Sequence, residues 1–121
     1  MATVRYLVSD VDRAVSFYTT HLGFTLVEHM GPAFARLKRD DLILWVAGPK
    51  ASAARPMPDG SQPLPGGWNR FVIEVDDIET LVAQLRSAGV QFRNDILAGV
   101  GGKQILVEDS EGNPIELFEA K

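Results

Sequence analysis

The 121-residue sequence contains no cysteine, which excludes disulfides and thiolate metal ligands, and with them a small secreted disulfide scaffold. It holds only two histidines, His21 and His29, and no Ser-His-Asp or Cys-His set that would support nucleophilic hydrolysis. A phosphate-cradling glycine loop and a basic amphipathic segment are both missing, so nucleotide binding and membrane attachment have no support. No apolar run is long enough to span a bilayer, and the opening Met-Ala-Thr-Val-Arg-Tyr lacks a basic region followed by an apolar stretch. A soluble, cytoplasmic protein is therefore expected. An excess of positive charge is lacking too: the formal net charge is -4 and the pI about 5.1, which argues against nucleic acid as a partner.

What is present suits one real core. Hydrophobic residues make up 45% of a 13.2 kDa chain, enough for a single domain over 1–121 and too little chain for two full-sized ones. Thr3 to Val8 alternates, with Val4, Tyr6 and Val8 on one face and Thr3, Arg5 and Leu7 on the other, which predicts a strand. Asp10 stands where a helix N-cap would be; Val11, Ala14, Val15, Tyr18 and Leu22 recur at helical spacing, and Gly23 supplies the stop. Three strand-like runs follow, Phe24 to Met30, Ala33 to Arg39 and Leu42 to Ala47.

Residues 48–67 break this pattern, because five of the seven prolines and four glycines fall there, and they form either a lid or a passive connector. The order then repeats. Asn69 to Val75 reads as a strand, Asp77 as a cap, and Ile78, Leu81, Val82, Leu85 and Ala88 as a helix face ended by Gly89. Val90 to Ile96, Lys103 to Asp109 and Pro114 to Glu119 are three more strand-like runs. Val8-Ser9-Asp10-Val11 matches Val75-Asp76-Asp77-Ile78 at an offset of 67, and Gly23 matches Gly89 at 66. A near-constant offset through strand, cap, helix and stop predicts an α+β fold of two tandem βαβββ modules, 1–47 and 68–121.

The segments Val8 to Tyr18, His21-Leu22-Gly23-Phe24, Phe71 to Asp77 and Asp109 to Leu117 resemble the signature segments of the vicinal-oxygen-chelate superfamily, which includes glyoxalases, bleomycin resistance proteins and dioxygenases. The resemblance covers nearly the whole chain. It implies a curved mixed sheet, a half-barrel with the helices on its convex side and a ligand pocket on its concave side. It also implies four metal-ligand positions in the metal-using members, one near the start of each half's first strand and one on each half's last strand, usually His or Gln and Glu. Here those positions fall on Thr3, on Ile43 or Leu44, on Arg70 and on Glu116. Only Glu116 is a good ligand, and a guanidinium beside it offers a divalent ion nothing, so neither a family-type metal centre nor another cofactor is expected. Glu28 and His29, adjacent on a strand, point to opposite faces and cannot chelate together.

The alternation also names the side chains opposite the core. These are Thr3, Arg5 and Leu7, then Arg70, Val72 and Glu74, then Gln104, Leu106 and Glu108, with Glu116 on the last strand. Arginines and carboxylates converging in a cleft need partners. Arg70 with Glu116, and Arg5 with Glu74, are either internal ion pairs or the groups that read a ligand. Trp68 and Asn69 precede Arg70, and Trp45 and Phe34 could add stacking surface; each aromatic can equally be core. Asn94 and Asp95 are mouth residues or turn formers.

Two functions are consistent with this set, beside a purely structural or partner-binding module. One is binding of a small polar or anionic organic molecule through Arg70, with Arg5, Thr3, Gln104, Trp68, Asn69, Phe34 and Trp45 as further contacts. The other is a lyase or isomerase using Glu116 or Glu74 as general base on a carbon acid beside a carbonyl that Arg70 polarises. Members of the family of this length commonly pair, so a homodimer is expected.

Overall fold

Two units of like topology make up the chain, Met1–Gly66 and Gly67–Lys121. The computed structural model describes residues 2–121.

In the first unit, the β-branched and aromatic run at the start forms β1 (Ala2–Leu7), and the Asp10 carboxylate accepts the Arg13 N–H at 3.1 Å to cap α1 (Val11–His21). Gly23, with φ of 71°, lets the chain leave the helix and enter β2 (Thr25–Met30). Then β3 (Phe34–Arg39) and β4 (Leu42–Ala47) complete a four-stranded mixed sheet in the order β1-β4-β3-β2, with β1 parallel to β4 and the other pairs antiparallel. Helix α1 buries Val11, Ala14 and Tyr18 against this sheet, where Leu37, Leu44 and Val46 are fully buried. Each such side chain contributes about 1.5–3 kcal/mol on leaving water. Gly48 is required by close approach: a Cβ there would stand 2.7 Å from the Pro32 carbonyl oxygen and 2.9 Å from Val11.

The second unit repeats the order. Strand β5 (Val72–Glu74), helix α2 (Ile78–Ser87), β6 (Leu97–Ala98), β7 (Gly102–Glu108) and β8 (Pro114–Ala120) form a sheet ordered β5-β8-β7-β6, with β5 parallel to β8. Asp77 caps α2 through the Thr80 N–H at 3.2 Å, and Glu119 adds a second acceptor by taking the Ile78 N–H at 2.9 Å. Ile105, Val107, Ile115 and Leu117 are fully buried, as the alternation requires. The two sheets with their two helices are the α+β arrangement that the repeat predicted.

The predicted strand over Val90 to Ile96 is a correction. Only a single bridge, Phe92 to Val107, and the short β6 further on have strand geometry. The segment still runs beside β7, but the Asn94 side chain accepts the Leu106 N–H at 2.9 Å where a backbone carbonyl would stand in a ladder. A short polar side chain that competes for backbone donors has replaced regular pairing. Residues 48–66 belong to the first unit and are built of turns, including a 3-10 turn at Ser52–Ala54 and a tight loop in which Asp59 accepts from the backbone N–H and hydroxyl of Ser61.

Candidate functional site

Each sheet has one face covered by its helix and one that the helix leaves open, and the register shows which side chains share the latter. In the first unit, the covered face carries the row Tyr6, Val46, Ala35 and His29, and His29 Nε2 lies 2.9 Å from Asp12 Oδ1 on α1. The open face carries the row Arg5, Trp45, Arg36 and Glu28, flanked by Thr3, Ile43, Lys38 and Thr25 on one side and by Leu7, Ala47, Phe34 and Met30 on the other. Four of the residues singled out from sequence, Thr3, Arg5, Phe34 and Trp45, therefore share one surface.

Their contacts are aromatic and cationic. The Arg5 guanidinium lies 5.0 Å and the Arg36 guanidinium 5.1 Å from the centre of the Trp45 ring, Arg36 also covers Phe34 at 5.5 Å, and Phe34 meets Trp45 edge to face at 5.5 Å. Arg36 pairs with Glu28 at 3.0 Å. Among the described residues of their own unit, Arg5 and Lys38 have no carboxylate within ion-pair distance.

In the second unit the open face carries Val72, Glu116 and Leu106 in one row and Glu74, Phe118, Gln104 and Leu97 in the next. Arg70, just ahead of β5, donates from Nε at 3.1 Å and from Nη2 at 2.9 Å to the same oxygen, Glu116 Oε1. Its Nη1 donates to the Trp68 carbonyl at 3.2 Å. Oε2 of Glu116 takes no hydrogen bond within the unit, and the Glu116 side chain is only 13% exposed. Glu74 and Gln104 flank Phe118 rather than Glu116, and Glu74 makes no ion pair within its unit. Asn69 is exposed. Arg5 and Glu74 lie in different units.

Arg93, which no pattern in the sequence marks, organises this end of the second sheet. Its Nε donates to Glu108 at 2.8 Å, Nη1 to the Gly67 carbonyl at 2.6 Å and Nη2 to the Gly112 carbonyl at 2.8 Å, while the guanidinium carbon lies 4.5 Å from the centre of the Trp68 ring. A hollow of about 470 Å³ is lined by Gly67, Trp68, Phe92, Arg93 and Glu108. A larger one of about 600 Å³, lined by residues including Thr25, Lys38 and Arg39, opens on the first unit and contains neither Arg70 nor Glu116. The loop from Asp109 to Pro114 that carries part of the family resemblance has a structural reason. Buried Asp109 accepts the Glu111 and Asn113 N–H groups, at 2.8 and 2.9 Å, and holds the Asn113 amide at 3.1 Å.

The register also corrects one equivalence. Neither Ile43 nor Leu44 takes the place of Glu116 in the first sheet. Val72 pairs with Glu116, and Arg5, the residue 67 positions before Val72, pairs with Trp45. The four positions are thus Thr3 and Trp45 in one unit and Arg70 and Glu116 in the other, a hydroxyl, an indole, a guanidinium and a carboxylate. Neither pair fits a divalent ion, which needs several oxygen or imidazole donors. Among the described residues, no group of three or more His, Asp and Glu side chains could hold one.

Comparison with known proteins agrees with the topology. Residues 1–117 match the model of the Glyoxalase/Bleomycin resistance protein/Dioxygenase superfamily. A bleomycin resistance protein from Geobacillus stearothermophilus is 28% identical over 119 residues, covering 93% of this chain and 90% of its own. A superfamily member from Sphaerobacter thermophilus shares the fold with a TM-score of 0.78 at 25% identity, over 98% of this chain and 95% of its own. A lactoylglutathione lyase from Agrobacterium tumefaciens does so with a TM-score of 0.76 at 18% identity, over 98% and 92% of the two chains. With the model matched from the first strand to the last, the chain belongs to the glyoxalase, bleomycin resistance protein and dioxygenase superfamily.

Proposed function

We propose that the protein binds a small polar or anionic organic molecule in a metal-free pocket, with Arg70 and Glu116 at its centre. The observation that carries this reading is the Arg70–Glu116 pair, in which two guanidinium N–H groups converge on Oε1. A cation already fills the position beside the one surviving carboxylate, and Oε2 is left to accept from a ligand. Trp68, Asn69 and Gln104 of the same unit are the further contacts of this reading, and Arg5, Thr3, Phe34 and Trp45 form a separate candidate ligand surface on the first sheet. Kinship with bleomycin resistance proteins favours sequestration of an organic compound.

The test is a ligand-dependent thermal shift with bleomycin and a set of small organic acids, in wild type and Arg70→Ala. Stabilisation that disappears in the variant is expected. An equal shift in both proteins contradicts the proposal.

Lyase or isomerase chemistry is the second reading, favoured by Oε2 of Glu116 and by Glu74, both carboxylate oxygens without a partner in their unit. Either would act as general base on a carbon acid beside a carbonyl polarised by Arg70. Exchange of that carbon-bound hydrogen in deuterium oxide, lost in Glu116→Gln or Glu74→Gln, would identify it.

Self-association also belongs to this proposal. Strand β2 is the outer strand of the first sheet, and its Leu26, Val27 and Met30 are 40%, 60% and 55% exposed. A second copy of the chain would cover this apolar edge.

A further inference from the structure

The chain as a whole is acidic, yet the open face of its first sheet is not. Arg5, Arg36 and Lys38 stand there with one carboxylate, Glu28, so this face carries an excess of two positive charges against a net charge of -4 for the chain. Both arginines lie over one indole, at 5.0 and 5.1 Å from its centre, so the two guanidinium carbons are within about 10 Å of each other. That is roughly one Debye length at physiological salt, so their repulsion is incompletely screened. Glu28 offsets one of them at 3.0 Å, and among the described residues of the unit no carboxylate forms an ion pair with Arg5 or Lys38. Beside this cationic row runs the apolar one of Leu7, Ala47, Phe34 and Met30.

We infer that this face binds a flat aromatic anion, with the ring against Phe34 and the edge of Trp45, and the anionic group between Arg5, Arg36 and Lys38. The inference rests on the proposal that the protein binds a small organic molecule and names the chemical class. Guanidinium groups suit this role, because they are weakly hydrated, stack on aromatic surfaces and present paired donors to a carboxylate or sulfonate. Contact with Trp45 also restrains both guanidinium groups, so less side-chain freedom is lost when an anion arrives. A neutral aromatic of the same shape gains only the stacking, and an aromatic cation meets repulsion.

The experiment is calorimetric titration of naphthalene-2-carboxylate and its neutral isostere naphthalene-2-carboxamide into wild type, Arg5→Gln/Arg36→Gln and, as a charge-matched control, Arg13→Gln/Arg55→Gln at two exposed positions away from this face. Wild type and the control are expected to prefer the carboxylate by about tenfold or more, the scale of a charge-assisted hydrogen bond. The preference should weaken with added salt and collapse in the double variant, with circular dichroism confirming the fold of each protein. Equal affinity of wild type for the two probes, or no binding of the carboxylate, overturns the inference. So does a preference undiminished in the double variant; in that case binding itself persists, and only the assignment to this face fails. Failure of the underlying proposal reads out separately, in the Arg70→Ala thermal shift.

Discussion

Arg93 backs Trp68: its guanidinium carbon lies 4.5 Å from the centre of the indole, while its three donors are spent on Glu108 and on the carbonyls of Gly67 and Gly112. Arg70 holds the same tryptophan from the backbone side, through the Trp68 carbonyl. An indole that is 68% exposed is thereby fixed in place. Arg93→Ala strands the partly buried Glu108 and is expected to cost about 1–3 kcal/mol, a fall of several degrees in melting temperature. In a Trp45→Phe background, acrylamide quenching of Trp68 should rise in the same variant. Unchanged quenching would show that Arg93 does not hold the ring.

The caps give a pH dependence of defined sign. Hydrogen bonds from the Thr80 hydroxyl, and then from the Thr80 backbone N–H, hold the Asp77 carboxyl below its usual value of 3.8. A depressed carboxyl stabilises the fold above the unfolded value and loses that contribution as pH falls through the lower folded one. The stability difference between wild type and Asp77→Asn should therefore be constant near neutral pH and close below pH 3.8. Urea unfolding at a series of pH values measures it, and a gap that widens on acidification would contradict the assignment.

For the site itself, a double-mutant cycle isolates the Arg70–Glu116 interaction. Either Arg70→Ala or Glu116→Ala leaves a largely buried partner unpaired and should destabilise by about 1–3 kcal/mol. The two together should cost less than their sum. Strict additivity in chemical denaturation would mean that the pair contributes nothing.

Much of this was legible in the sequence because it is local. Asp10 and Gly23, Asp77 and Gly89 bracket helices through contacts within a few residues, and alternation places Arg5 and Thr3 opposite Tyr6 and Val8. What depends on pairing was not. That Trp45 rather than Ile43 or Leu44 matches Glu116 follows from which strand residues face each other, a property of two segments about forty residues apart. Arg36 and Lys38 carried a usable signal, since they alternate with buried Ala35 and Leu37 on the face already assigned to the site. Arg93 carried none: its partners at Gly67, Glu108 and Gly112 meet it only in the folded unit.

The exposed edge strand makes its own prediction. Light scattering should give twice the chain mass of 13.2 kDa, and Val27→Lys, at the bulge between Leu26 and Glu28, should shift the protein toward a single chain. A wild-type monomer, or a dimer indifferent to the charge, would place self-association elsewhere.

If Arg70 stands in place of a metal beside Glu116, ligand-competent protein purified without chelator carries far less than one metal ion per chain by elemental analysis, and EDTA leaves ligand binding unchanged. Stoichiometric nickel, zinc, manganese or iron, removed together with ligand binding by EDTA, would mean instead that a metal holds the ligand.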